Sequence, residues 1–255
     1  MRQIIVTPAL VLRRVVYGEA DLVVTLLGLA TGRVSALARS ARKSSRRFAG
    51  GLGTGTAGEA RLHERPNAEM MVLESFDGRG DRPTLSTDLA KSAHAAYALE
   101  LCDRLCPPRQ PEASVFNWLE EFLSRLDAGA TTAERLRVFE LGLLRNLGMG
   151  PSLDRCSACD RSDLGEEEVR WQAHTGGVLC RNCAKSGDVM TAATRRALET
   201  LSKSSLAEAN AITLERGVGT ACRRAVLALL REHIHGPLRS LDFIEKMSGN
   251  MSGSR

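Results

Sequence analysis

Residues 156–183, CSACDRSDLGEEEVRWQAHTGGVLCRNC, contain two pairs of cysteines, and two residues separate the members of each pair. Cys156 and Cys159 form the first pair, and Cys180 and Cys183 form the second. This spacing lets one tight turn present both sulfurs to the same ion, and it is typical of a zinc site with four thiolate ligands. Because four thiolates fill the coordination sphere of zinc, the sequence predicts a structural ion with no open position for a substrate.

The segment between the two pairs must reverse the direction of the chain. Val169, Trp171 and Val178 suit short strands, with Thr175-Gly176-Gly177 as the turn between them. Two disulfides are one alternative, but they are typical of oxidising compartments. A thioredoxin-type redox pair is another, but it needs only one pair of cysteines. His174 is an alternative ligand in place of one sulfur.

Upstream of the cysteines, residues 1–80 show the pattern of strands and turns. Apolar residues alternate with other residues from Gly32 to Arg39, which is typical of a strand with one buried face. The five predicted strands are 4–12, 22–27, 32–39, 57–63 and 69–76. Five strands in a module of this length favour the oligonucleotide-binding (OB-fold) barrel, although a small SH3-like barrel gives a similar pattern.

The apolar period becomes helical after the polar break at 78–83. Helices are predicted at 86–106, 113–126, 192–206 and 217–235, with a further helix that ends at Gly148. The predicted class is a multidomain α+β protein, a five-stranded OB-fold barrel followed by a mainly α-helical domain with an inserted four-cysteine zinc knuckle. The predicted parts are a nucleic-acid-binding barrel at 1–80, a helical domain at 84–149 and 191–247, the knuckle at 150–190 and a disordered tail at 248–255.

Charge is distributed unevenly along the chain. The net charge is +5, and residues 1–82 carry thirteen Lys/Arg against eight Asp/Glu, so the whole excess lies in the first third. The longest strongly apolar run, Leu22 to Ala30, is too short to cross a bilayer. Because Arg13-Arg14 interrupt the first apolar stretch, we expect no secretory signal and a soluble, cytoplasmic protein without membrane contact.

The basic excess is concentrated in one window. No acidic residue occurs between Asp21 and Glu59. A local patch of one sign attracts a polyanion, and arginine forks match phosphate oxygens. Phosphate contacts carry no sequence information, so the predicted DNA binding is largely non-specific. A solvated loop without a partner is the alternative. The predicted DNA-binding residues are Arg33, Arg39, Arg42, Lys43, Arg46 and Arg47.

Motifs for covalent chemistry do not occur in the sequence. There is no Gly-x-x-x-x-Gly-Lys-Ser/Thr phosphate loop, no Gly-x-Ser-x-Gly elbow and no His-Glu-x-x-His. The glycines of 51–55 lack the lysine and the strand-to-helix context of a phosphate loop, and they predict a flexible loop instead. We therefore expect no catalytic residues and a protein that is not an enzyme.

Three stretches, together with the ending of the chain, resemble the RecO family of bacterial recombination mediators and DNA repair proteins. The first runs from Ala9-Leu10-Val11-Leu12-Arg13 through Tyr17-Gly18-Glu19-Ala20-Asp21-Leu22. The second runs from Gly32-Arg33 through Ala38-Arg39-Ser40-Ala41-Arg42-Lys43-Ser44, with Ser40 where the family commonly has a glycine. The others are Gly148 leading into the cysteine quartet with Gly176-Gly177, and the ending Gly236-Pro237-Leu238-Arg239-Ser240.

The resemblance implies a function beyond what the residues alone indicate. RecO proteins bind single- and double-stranded DNA, anneal complementary strands, and act with RecR and single-strand-binding protein to help load RecA. This implies a nucleoid-associated protein in the cytoplasm. The tail of single-strand-binding protein docks on the helical domain in some members, and the candidate acceptors here are Arg195, Arg196, Arg223 and Arg224. A zinc-ribbon regulator of nucleic acids and a protein-interaction adaptor without annealing activity are the alternatives.

Overall fold

The computed structural model describes residues 3–65, 68–79 and 82–252, and the first of its parts is a five-stranded closed barrel. Its strands are β1 (Ile4–Tyr17), β2 (Asp21–Gly28), β3 (Gly32–Ala38), β4 (Ala57–His63) and β5 (Met71–Arg79). The order around the barrel is β1-β2-β3-β5-β4, and β4 pairs with β1 to close it. The predicted number of strands and the predicted OB-like barrel are confirmed.

Alternating side chains fill the barrel interior. Ala9 and Val11 of β1 pack with Val34 and Ala36 of β3 and with Phe76 of β5, and all are at least nine-tenths buried. β3 and β5 pair in parallel, and their short register joins Ala36 to Met71. β1 extends five residues further than predicted, because a bulge after Val11 keeps it paired with β2 as far as its last residue.

The glycine-rich residues 51–55, predicted as a flexible loop, and the residues just before them are instead anchored to the barrel. Phe48 and Leu52 are buried in the barrel core. The Gly78 N–H donates to the Ala49 carbonyl at 2.8 Å. Gly50 adopts φ +71°, and a Cβ there would lie 2.1 Å from the Gly78 oxygen. The glycines at this point therefore permit a close approach of two backbones rather than disorder.

Four helices belong to the same compact unit as the barrel: α1 (Thr84–Thr87), α2 (Leu89–Leu105), α3 (Ala113–Ala128) and α7 (Arg239–Ser252). The predicted helix 86–106 is divided in two, because Asp88 is extended and its carboxylate caps α2 by accepting from the Ala90 and Lys91 N–H groups. At the other end of α2, Glu100 accepts from the Ser240 N–H at 2.9 Å and joins it to α7.

The second compact unit, Thr131–Pro237, holds the cysteine segment and three helices. The helices are α4 (Ala133–Asn146), α5 (Ala192–Lys203) and α6 (Arg216–His233). The strands are β6 (Ser152–Cys156), β7 (Val169–Gln172), β8 (Gly177–Leu179) and β9 (Asp188–Met190), in the order β6-β8-β7-β9. The predicted strands around Val169, Trp171 and Val178 are confirmed.

The compact units differ from the predicted parts in two ways. The helices of 84–128 and α7 associate with the barrel rather than with the helices of 131–237. A helical apolar stripe shows that one face is buried, but it does not show which element covers that face. The predicted disordered tail is also partly wrong, since α7 continues to Ser252; residues 253–255 lie outside the described residues. No helix in the described ranges is both long and apolar enough to cross a membrane.

Candidate metal centre and nucleic-acid interface

The four predicted cysteine ligands converge on one point. Cys156 ends β6 and Cys180 follows β8, and each is the first residue of a tight turn that carries its partner, Cys159 or Cys183. The four Sγ atoms all lie within 4.8 Å of one another, and those of Cys159 and Cys180 are 3.9 Å apart. A disulfide requires about 2.05 Å. A tetrahedron with metal–sulfur distances of about 2.3 Å has edges of about 3.8 Å, so the geometry fits a metal ion.

Backbone donors lower the pKa of two of the four thiols, Cys156 and Cys180, and so favour the thiolate form that binds metals, whereas hydrogen bonding to Cys159 raises the pKa of Cys183. The Cys180 N–H donates to Cys156 Sγ at 3.3 Å. Burial opposes ionisation of Cys156, but hydrogen bonds from the backbone of Cys180, Ala158 and Cys159 outweigh burial and lower the pKa of this thiol to about 6. Among the described residues the cluster contains only cysteines, so His174 is not part of it.

Tight turns bring the two cysteine pairs together. Gly176 follows a single 3₁₀ turn, Ala173–Thr175, and adopts φ +66°, a backbone conformation that disfavours other residues. A Cβ on Gly177 would lie 2.2 Å from Ser157 Oγ, so this glycine lets β8 approach the first cysteine turn. The predicted Thr175-Gly176-Gly177 turn is therefore confirmed, and its two glycines have separate roles.

Arg195, a predicted acceptor for a partner protein, instead forms hydrogen bonds with the cysteine segment of the same chain. Its side chain donates to the carbonyls of Leu153 at 3.4 Å and Gly165 at 2.6 Å, and the residue is only 7% exposed. It lies on the face of α5 that packs against the cysteine segment and is unavailable to a partner. The other three predicted acceptors, Arg196, Arg223 and Arg224, are exposed. Arg196 forms a salt bridge with Glu166, and Arg224 lies beside the carboxylate of Asp188.

The predicted DNA-binding cations, Arg33 excepted, lie on one segment at the end of β3, residues 39–47, which we call the basic loop. Ser40 adopts φ +53°, which explains why a glycine suits this position. The Ser40 N–H donates to Asp21 Oδ1 at 2.7 Å, and the Arg42 N–H donates to the Ala20 carbonyl at 3.0 Å. The turn between β1 and β2 therefore holds the backbone of the basic loop.

The cations of the basic loop are exposed and have no acidic partner among the described residues. The Arg42 guanidinium donates to the Glu19 carbonyl at 3.0 Å, and that of Arg47 donates to the Arg39 carbonyl at 2.7 Å. Arg47 also lies 5.2 Å from the centre of the Phe48 ring. Within the described part of the chain, no salt bridge involves the five cations of this loop, which are Arg39, Arg42, Lys43, Arg46 and Arg47.

Arg33 is not brought together with the other predicted cations. Its Nε donates to the Cys106 carbonyl at 2.7 Å, and a second guanidinium nitrogen lies 3.5 Å from Asp103 Oδ1. Arg33 also lies six residues before Arg39 on an extended strand, a separation of about 20 Å. Its charge is therefore compensated by α2, at the other end of β3.

Sequence reasoning missed Arg14 and Val16 of β1. Together with Arg42 and Phe48 they line a cavity of about 580 Å³ next to the basic loop. The available signal was the run Val15-Val16-Tyr17, whose β-branched and aromatic residues favour a strand and continue β1 past its predicted end.

Comparisons with known proteins agree with these features. The model described as Recombination protein O N terminal matches residues 1–78, and that described as Recombination protein O C terminal matches residues 86–242. A protein named DNA repair protein RecO from Anaeromyxobacter sp. (strain Fw109-5) is 40% identical over 242 residues, covering 93% of this chain and 94% of the relative. The protein of that name from Geobacter sulfurreducens is 37% identical over 74% of this chain and 77% of its own length. The protein of that name from Myxococcus xanthus is 34% identical over 94% of this chain and 96% of its own length. With both models matched in chain order and the barrel and the cysteine cluster in place, the chain belongs to the RecO family.

Proposed function

We propose that this protein is a DNA-binding recombination mediator in DNA repair that binds and anneals single strands. The observation that carries the proposal is the basic loop, in which five exposed cations lie on one segment of an OB-like barrel and form no salt bridge with the acidic residues that the structure describes. Phosphate groups of a nucleic acid are the partners that these cations fit best. The family to which the chain belongs supports a role in DNA repair and recombination.

Charge neutralisation is the mechanism that we propose for annealing. Two complementary strands repel each other through their phosphates. A strand bound to the basic loop carries less uncompensated charge, so a second strand approaches it more readily. The loop backbone is held by hydrogen bonds to the β1–β2 turn and to β5 before DNA binds, and this lowers the entropy that binding must remove. No covalent step is required, so no residue is assigned a catalytic role.

A structural zinc ion is the metal that the four cysteines would hold. The donor set is entirely sulfur, which favours zinc over hard cations such as Mg²⁺. The ion would cross-link β6 to β8 and so support the surface on which Arg195 of α5 rests. In this proposal zinc stabilises the second compact unit and does not contact DNA.

Protein partners complete the proposed function. We propose that the protein acts with RecR and single-strand-binding protein, and through them assists RecA loading at the nucleoid. Arg196, Arg223 and Arg224 remain the candidate acceptors for single-strand-binding protein, and Arg195 is withdrawn because it is buried. RecR contact is proposed at the barrel.

An annealing assay on two matched variants tests this proposal. The first variant changes Arg42 and Lys43 to alanine, and the second changes Arg216 and Arg231 of α6, which are also exposed. Both lose two positive charges. We expect slower annealing of complementary oligonucleotides with the first variant only. Equal rates for the two variants would contradict the proposal, and crosslinking of the basic loop to RecR but not to DNA would favour an adaptor.

A further inference from the structure

The tip of the β1–β2 hairpin extends the inner face of the barrel beyond its end. Arg14 is paired with Val24, and Val16 with Leu22. Residues that lie directly opposite each other on paired strands share a face of the sheet. Leu22 and Val24 belong to the buried barrel core, so Arg14 and Val16 project to the same side but beyond the core. Val16 is consequently 60% exposed, which is unusual for an apolar residue on an inner face.

The basic loop forms the opposite wall of the cavity that Arg14 and Val16 line, which we call the hairpin slot. Phe48 and Leu52, both 4% exposed, contribute its apolar base. On the loop side the slot is lined by Arg42 and by two serines, Ser44 and Ser45. The volume of about 580 Å³ lies in the range of ligand sites. None of the described residues that line the slot is acidic.

The slot therefore combines apolar surface with two cations, one on each wall. A nucleotide has the same two components, a flat base with apolar faces and a phosphate with negative charge. In duplex DNA the bases are paired and stacked, and only an unpaired base is able to enter a slot of this kind.

We propose that the hairpin slot holds one unpaired base of a single strand, with Arg14 and Arg42 on the adjoining phosphates. This inference rests on the proposed DNA binding by the basic loop and adds a contact that distinguishes single strands from duplex. The charge of the surroundings supports a polyanion as the occupant, since the cations of the basic loop continue from the slot along the same segment. The phosphates of a strand bound in the slot therefore contact several cations of the basic loop at once.

Oligonucleotides with and without bases test the slot. We expect the wild-type protein to bind oligothymidine more tightly than an abasic strand of equal length and charge. Val16→Ala removes two methyl groups from the slot and should reduce this preference by about fivefold. Its affinity for the abasic strand and for duplex should stay the same. Val16 is exposed, so the fold should persist, which thermal unfolding checks.

Two matched variants serve as controls. Val15→Ala makes the same change one residue earlier, on the other face of the hairpin, and should leave the preference for bases unchanged. Arg46→Ala removes a cation that does not line the slot and should weaken binding to both strands equally. Wild-type affinities that are equal for the two strands would overturn the slot while leaving DNA binding by the basic loop intact. Equal effects of Val15→Ala and Val16→Ala would also overturn it, and tighter binding of an acidic peptide than of oligothymidine would assign the slot to a protein.

Discussion

The salt dependence of DNA binding should report the number of free cations on the basic loop. Five cations there have no acidic partner in the described ranges of the chain, and Arg33 is excluded because Asp103 compensates its charge. For single strands, log K falls with log salt by about 0.7 per neutralised phosphate, so the five cations of the basic loop contribute about 3.5 to the slope, in addition to the contact of Arg14 in the hairpin slot. Raising the salt from about 50 mM to about 200 mM should weaken binding about 130-fold through the basic loop alone. Replacing Arg42 and Lys43 by alanine should lower the loop's contribution to the slope to about 2.1 and its share of the loss of affinity to about 18-fold.

Fluorescence anisotropy of a labelled oligonucleotide across a salt series measures these slopes. Arg33→Ala is the decisive comparison, because it removes the same charge from the same barrel. Its slope should stay near the wild-type value, while its thermal stability falls as Asp103 and the Cys106 carbonyl lose a partner. An equal loss of slope in Arg33→Ala and in Arg42→Ala would refute the distinction between compensated and free cations. A wild-type slope near zero would refute phosphate binding by the loop altogether.

The remaining predictions concern the metal site and the stability of the fold. Cys183→Ser should abolish stoichiometric zinc, measured by metal analysis of the purified protein, while oligonucleotide affinity is unchanged; zinc retained at one per chain would contradict the four-thiolate site. Arg195→Ala should lower the free energy of unfolding in urea by about 2 kcal/mol, because the buried Leu153 carbonyl and the Gly165 carbonyl lose their donor, whereas Arg231→Ala should cost less than about 0.5 kcal/mol. Gly50→Ala should cost about 3 kcal/mol, since both its backbone conformation and the Gly78 oxygen oppose a Cβ. Gly51 also has a positive φ but has open space around it, so Gly51→Ala should cost only about 1 kcal/mol. Equal losses of stability in Gly50→Ala and Gly51→Ala would rule out the close contact between Gly50 and Gly78.

The cysteine quartet and the barrel were predictable because both depend on local sequence. The spacing of Cys156 and Cys159 is set by one turn, and the alternation in β3 is set by a pleat of two residues. The association of helices was not predictable, because the apolar residues of α2 and α4 show that the helices are buried but not which element covers them, and the two helices belong to different compact units. The anchored conformation of the glycine-rich segment that follows the basic loop was missed for the same reason, since Gly50 meets Gly78 only in the folded barrel.

The sequence by itself determined the strands, the four thiolate ligands and the location of excess positive charge, since each of these depends on residues that are close along the chain. Only the tertiary structure decided which cations are available. Arg33 and Arg39 look alike in the sequence, but the partner of Arg33 at Cys106 lies 73 residues away. Arg195 is likewise indistinguishable from its neighbour until the carbonyls of the cysteine segment are placed beside it. The reason is physical: a side chain's charge belongs to the residue, whereas its compensation depends on groups that folding brings near.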